Sequence, residues 1–247
     1  VMEYSTSVPH VLNKVGIIQN PSDFLRKLIG HNDVKSEELQ MKHKGVEVRD
    51  MYYSYPKSDT SMYKNFSISI EPKEKVAIIG RSGSGKSTLA KLLSGIYKPS
   101  SGQILLGGVN TKHVATNHIR RKVNYINQRT GLFNDTVIQN MKYGNNAPDA
   151  TIVSLLQKYQ LLDIFSKIEK GIYGNTGING GNLSLGMQKI TMLVRGLLKS
   201  CEIVILDEPL AALDAKTREK VIRMIQGVCK DKTVIIITHD KEIIPYM

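Results

Sequence analysis

Hydrophobic positions change period repeatedly along the chain. In the first forty residues Val8, Val11, Leu12 and Val15 recur at helical spacing, and Phe24, Leu25, Leu28 and Ile29 repeat it beyond Pro21. These predict two short helices, then a polar linker, GHNDVKSEELQMKHKG. From residue 46 alternation takes over. VEVRDMYYSY and NFSISI read as strands, with PKSDTSMYK as the loop between them. KVAIIG is an unbroken apolar run, which suits a parallel strand buried on both faces. KSTLAKLLSGIY then sets Leu89, Leu92, Leu93 and Ile96 on one helical face. Residues 134–200 are mostly helical in pattern. CEIVILDEP and KTVIIITHD are two further apolar strands, separated by a helix over 215–228. Strands alternating with helices predict an α/β domain around a mostly parallel sheet.

Composition narrows this reading only slightly. With 41% hydrophobic and 23% charged residues in 247, the chain is of ordinary globular type, long enough for one large domain or two small ones. No apolar run approaches the roughly 18 residues that cross a bilayer, and VMEYSTSVPH lacks the pattern of a signal peptide. Cys201 and Cys229 offer neither a disulfide framework nor metal-ligand spacing, and are expected as buried fillers in a reducing compartment. The net charge of +12 leaves three readings open: a nucleic-acid face, attraction to an anionic leaflet, or a solvated surface serving an anionic ligand. The basic residues are spread out, RRK at 120–122 being the densest group, which weighs against nucleic acid.

The candidate chemistry is sharper. GRSGSGKST, residues 80–88, follows the strand KVAII and opens a helix, the context that G-x-x-x-x-G-K-[ST] requires to cradle phosphates. Gly80, Arg81, Ser82, Gly83, Ser84 and Gly85 form a tight loop whose N–H groups turn inward, backed by the positive end of the helix that follows. Lys86 brings a charge to the β- and γ-phosphates, the Ser87 hydroxyl suits Mg²⁺, and Thr88 completes the motif. The chain therefore binds a nucleoside triphosphate. IVILDEP delivers Asp207 and Glu208 to a strand's carboxyl end, where open α/β sheets bind ligands. Asp207 suits the metal and Glu208 a general base for water; taken alone, the pair also fits a helix N-cap. VIIITHD ends on His239, which alone reads as structural as readily as functional. Its strand is expected beside that of Asp207, near the γ-phosphate.

With those residues assembled, the sequence from about 46 to 247 resembles an ATP-binding cassette (ABC) domain, in particular the nucleotide-binding half of an exporter. The resemblance implies a P-loop NTPase fold: a mostly parallel central sheet, an N-terminal antiparallel β subdomain and an inserted helical subdomain at about 134–200. It implies ATP and Mg²⁺ as cofactors. Tyr55 in YYSYP matches the aromatic that stacks on adenine. Gln128 matches a glutamine that reaches metal and attacking water. Asp207, Glu208 and His239 match the magnesium aspartate, catalytic glutamate and switch histidine. AALD, 211–214, matches a loop that reaches a second cassette.

NLSLGMQK lies where the family carries Leu-Ser-Gly-Gly-Gln, the signature that closes over the γ-phosphate held by a second, head-to-tail cassette. Ser184 and Gly186 match it; Leu185 and Met187 depart from it. Were φ > 0 required at Leu185, its side chain would cost about 1 kcal/mol. The amide lost at Met187 would cost about 1–3 kcal/mol if a buried partner were left unpaired. Upstream, Ile178 stands where exporters often carry a glutamate. The set serving the chain's own ATP is thus intact while the surface lent to a partner is altered. That pattern implies the catalytic half of a heterodimer, with a homodimer of two slowed sites as the rival.

The resemblance also implies partners and place: a second cassette, a transmembrane domain of the same or another chain, no nucleic acid, and the cytoplasmic face of a membrane. Residues 1–40 would follow an absent membrane domain, 41–247 would be the ATPase domain, and the end soon after His239 would be a shortened C-terminus. The alternative is a soluble cassette ATPase acting on DNA or ribosomes. The DNA-acting kind inserts long coiled coils between Lys86 and Asp207, whereas here roughly 120 residues intervene with no heptad array. The ribosome-acting kind carries two cassettes in one chain.

Overall fold

The structure, a computed structural model, describes residues 38–56, 58, 60–127 and 131–247. The two helices expected before residue 30, and Gln128, lie outside the described residues.

Two four-stranded sheets organise the rest. The first is antiparallel, in the order β2(Ser61–Ile70), β1(Val46–Ser54), β4(Ser101–Leu106), β5(Val109–Asn110). The second runs β3(Lys75–Ile79), β8(Thr233–Thr238), β7(Ile203–Asp207), β6(Val123–Ile126), and every pairing in it is parallel. The antiparallel sheet is not wholly N-terminal, because β4 and β5 follow the phosphate loop in sequence. Gly107 (φ 57°) and Gly108 (φ 80°) form their turn, and two successive positive φ values are what a two-residue hairpin needs.

The strand β1 does not alternate cleanly. Val46 and Val48 face inward, then Met51 and Tyr53 do, so the buried set shifts by one residue. A bulge absorbs the shift where Asp50 takes φ 47°, and the register against both neighbours slips there. The expected loop PKSDTSMYK is also shorter than it reads, since Ser61, Met62, Tyr63 and Lys64 belong to β2 and pair Tyr63 with Tyr53.

Six α-helices and several short 3-10 turns complete the described fold: α1(Lys86–Leu93), α2(Thr116–Lys122), α3(Val137–Lys142), α4(Asp149–Lys158), α5(Leu185–Leu197) and α6(Ala215–Val228). In α1, Leu89, Leu92 and Leu93 are buried as expected, but the helix ends before Ile96, which is exposed. The central strands β7 and β8 are buried on both faces, whereas β3, expected to be so from its apolar run, lies at the sheet edge and is only half-buried along its length. Ile203, Ile205, Ile235 and Ile237 pack with the antiparallel sheet and α1; Val204, Leu206, Val234 and Ile236 pack with α3 to α6. That double burial explains the unbroken apolar runs of β7 and β8. Cys229 is buried, and burial pushes its thiol up to about 11; Cys201 is only partly covered, with Lys232 Nζ 3.7 Å from its sulfur. Among the described residues no helix is long and apolar enough to cross a membrane.

Candidate active site

Parallel pairing brings the site together. The strand β8 lies between β3 and β7, so the loop after β3, the acidic end of β7 and the end of β8 open at one edge of the sheet. There a cleft of about 570 Å³ is lined by Tyr55, Met62, Ser82, Gly83, Gly85, Lys86, Ser87, Thr88, Asp207, Glu208 and His239. The size falls in the usual range for a small-molecule site. Gly80, Arg81 and Ser84 belong to the same loop but do not line the cleft. Ser184 and Gly186 lie elsewhere, at the start of α5.

The phosphate loop is fastened from two directions. Gly85 caps α1 in the left-handed region (φ 94°), and a Cβ there would sit 3.0 Å from both the Met62 sulfur and the Tyr63 hydroxyl. The Tyr63 hydroxyl donates to the Gly85 carbonyl at 3.0 Å, and burial pushes this phenol up to about 12. The Tyr55 and Thr88 hydroxyls share a hydrogen bond, and the Tyr55 ring meets Tyr53 and Tyr97 edge-on. Lys86 Nζ donates to the carbonyls of Gly80 (2.7 Å) and Arg81 (2.9 Å), which holds its charge at the loop.

Opposite stands the acidic pair. Asp207 is buried, and its Oδ2 accepts the Tyr125 hydroxyl at 2.8 Å. Burial first, and then the Asp207 carboxylate, push that phenol above the ordinary tyrosine range. Glu208 takes φ 49°, a left-handed conformation costing a non-glycine residue about 1–2 kcal/mol. Several bonds hold it there. Its N–H donates to the Ile237 carbonyl (2.8 Å) and its carbonyl accepts Lys189 Nζ (3.0 Å). Its Oε1 accepts the His239 N–H (3.1 Å) and lies 2.8 Å from His239 Nδ1, while Oε2 accepts the Thr238 hydroxyl (3.0 Å). Lys189 is itself buried; desolvation lowers its pKa despite the opposing pull of Asp207 and Glu208. The histidine expected near Asp207's strand is thus bonded directly to the neighbouring carboxylate.

These residues fit ATP and Mg²⁺ by the chemistry of their donors. A hydroxyl and a carboxylate are hard oxygens suited to Mg²⁺, which takes few protein ligands beside phosphate. Among the described residues no group of three His, Cys, Asp or Glu gathers as a self-sufficient metal site.

At the altered signature neither condition for a cost is met within the described residues. Leu185 is the first residue of α5 with ordinary helical φ, so no strain is stored there, and its side chain is 68% exposed. Met187 is 7% exposed and packs in the helical core. Among the described residues no buried side-chain nitrogen or oxygen lacks a partner, so the missing amide orphans no described side chain. The Ser184 hydroxyl accepts the Met187 N–H at 3.3 Å and caps the helix. A Gln at Met187's position would have completed a reciprocal capping box. Gly186 meets the 211–214 segment: a Cβ on it would lie 3.5 Å from Leu213 Cδ2 and 3.6 Å from the Ala212 carbonyl oxygen. Ile178 is 77% exposed.

Lys189, Thr238, Tyr125, Tyr63 and Met62 were not anticipated. For Lys189, Tyr125 and Tyr63 the only signals were a lysine on an apolar helix face and tyrosines within strands, neither of which indicates what the side chain touches; Thr238 and Met62 carried none.

The ABC transporter family model matches residues 63–211. The chain is 33% identical over 213 residues to the ATP-dependent lipid A-core flippase of Aromatoleum aromaticum, covering 85% of this chain and 35% of that one. It is 36% identical over 196 residues to the flippase of the same name from Pseudomonas putida, covering 78% and 33%. It is 35% identical over 205 residues to ABC transporter B family member 19 of Arabidopsis thaliana, covering 81% and 16%. The chain therefore spans about a third or less of these relatives. Among solved structures, that of a bacterial Atm1-family ABC exporter with ATP bound superposes with TM-score 0.80 at 28% identity, over 90% of this chain and 40% of that one.

Proposed function

This chain belongs to the ABC transporter family, as an exporter-type nucleotide-binding domain, and from that premise we propose that it binds and hydrolyses ATP to power export across a membrane. The observation that carries the reading is the Glu208 carboxylate, held by Thr238 and His239 at the cleft that Lys86 and Ser87 also line. In this reading the loop Gly80–Thr88 takes the phosphates, the Tyr55 ring takes the adenine, and Ser87, Asp207 and Gln128 serve the metal. Bound Mg·ATP supplies the phosphoryl group and the cation that offsets its charge. Glu208 accepts a proton from water. His239 holds that carboxylate's direction and carries a proton at Nδ1 when it donates to it.

The pairing with a second cassette remains part of the proposal. Ser184, Gly186 and residues 211–214 form one neighbourhood, which supports a shared surface offered to a partner's nucleotide. On that surface Leu185 presents an exposed isobutyl group in place of a bare backbone, while the set serving the chain's own nucleotide is complete. The reading therefore keeps this chain as the catalytic half of a pair. Docking to a transmembrane domain at the cytoplasmic face is supported by the exposed Phe133–Tyr143 ring pair, 4.3 Å apart.

The test is ATP turnover by the chain against its own concentration, with Glu208→Gln as the blank. The reading expects binding to survive in the variant and turnover to fall by about 10²- to 10⁴-fold. Equal turnover in the two proteins would remove Glu208 from the chemistry. A superlinear rise with concentration would favour self-pairing; ATP binding with turnover near the blank would favour an unlike partner.

A further inference from the structure

Resting on the reading of Asp207 as a magnesium ligand, this inference extends it to a side chain outside the nucleotide motifs. The parallel register sets Tyr125 on β6 opposite Ile205 on β7. Asp207 is two residues further along, so it shares a face of the sheet with Ile205, within reach of the Tyr125 ring. The phenol donates to Asp207 Oδ2 at 2.8 Å, and among the described residues no other side chain donates to that carboxylate. Asp207 is only 6% exposed, so solvent does little to orient it. The Tyr125 ring packs against the core between the two sheets, which fixes where its hydroxyl sits.

We propose that Tyr125 is the positioning residue of the magnesium site. By occupying Oδ2 it stops the carboxylate from rotating and leaves Oδ1 as the oxygen for the cation. No shorter hydroxyl side chain on β6 would span the gap between neighbouring strands, and phenylalanine would pack alike without a donor. Partners of metal ligands that act in this way change metal affinity by about 10- to 100-fold when removed.

The experiment uses the 247-residue chain and a fluorescent ATP analogue, titrated first in EDTA and then with rising Mg²⁺. Tyr125→Phe keeps the ring and deletes the donor. Its binding in EDTA should stay within about twofold of the parent, while the Mg²⁺ concentration giving half of the metal-dependent gain should rise about tenfold. Asp207→Asn, run alongside, should abolish that gain. If Asp207→Asn abolishes it but Tyr125→Phe leaves the midpoint unchanged or lower, the positioning role is wrong and the reading of Asp207 stands. Full metal dependence in Asp207→Asn would sink both. Equal weakening of Tyr125→Phe with and without Mg²⁺ would make the hydrogen bond merely structural, and the proposal would fail.

Discussion

Replacing Lys189 by methionine should separate what this lysine does for the fold from what it does for the site. The residue is 7% exposed, and its ammonium donates to the Glu208 carbonyl at 3.0 Å. Losing a hydrogen bond to a charged donor costs about 1.5–3 kcal/mol. Against that, methionine fills a similar volume without the desolvation cost of a buried ammonium. Exchanges of buried charges for apolar groups are often neutral or stabilising by about 1–4 kcal/mol. The lowered pKa of Lys189 shows that desolvation outweighs the attraction of Asp207 and Glu208. The protonated lysine therefore lowers stability at neutral pH, and that penalty is relieved only as pH rises through its folded-state pKa. The two contributions nearly cancel, leaving a net change within about 1 kcal/mol, or about 2–4 °C in Tm for a domain of this size. Turnover should fall about 10- to 100-fold, because Glu208 loses a tie that holds its left-handed backbone. Thermal melts and steady-state ATP hydrolysis on Lys189→Met decide the matter. A loss above about 2 kcal/mol with turnover intact would make Lys189 a structural tie.

Three further outcomes follow from the packing. Leu185→Gly, in an unstrained helical turn, should lower stability by about 0.5–1 kcal/mol in urea unfolding; stabilisation would mean that strain had been relieved. Arg195→Met should cost about 3 kcal/mol, since the guanidinium donates to the carbonyls of Asn140 and Gly131 and to Asn140 Oδ1; a Tm change under about 2 °C would refute this network's role. Tyr63 ionises near 10 when unfolded but about 12 when folded, so its stabilisation is complete below pH 10 and is lost between pH 10 and 12. The stability gap between the parent and Tyr63→Phe should narrow between pH 9 and 11.5; a constant gap would contradict the burial that raises this phenol.

Much of the nucleotide site was legible because each motif is contiguous. GRSGSGKST needs its own loop and the helix after it, and ILDE needs only the end of a strand. His239 was placed by expecting β8 beside β7, which is how they pair. What the sequence concealed depends on contacts between distant segments. The bonds of Tyr63 to Gly85, Tyr125 to Asp207 and Lys189 to Glu208 join residues 19 to 82 positions apart. The bulge at Asp50 hid because one extra residue exchanges inward and outward positions without changing composition. Leu185 is a different case, because the sequence does not reveal its φ. Strain there depends on a positive φ, and helix capping by Ser184 instead sets that turn in a helical conformation any residue adopts.

The proposed function rests most on the reading that this chain's own ATP site works while the surface it would lend to a partner is the weaker one. Mixing the parent with Leu185→Gly/Met187→Gln/Glu208→Gln tests it most directly. The triple variant restores the signature but lacks its own base, so turnover in a mixed pair comes from the parent's Glu208 facing the restored surface. The account predicts that the mixture hydrolyses ATP faster than the sum of the two proteins measured apart. A mixture no faster than that sum, with both proteins folded and binding ATP, would contradict it.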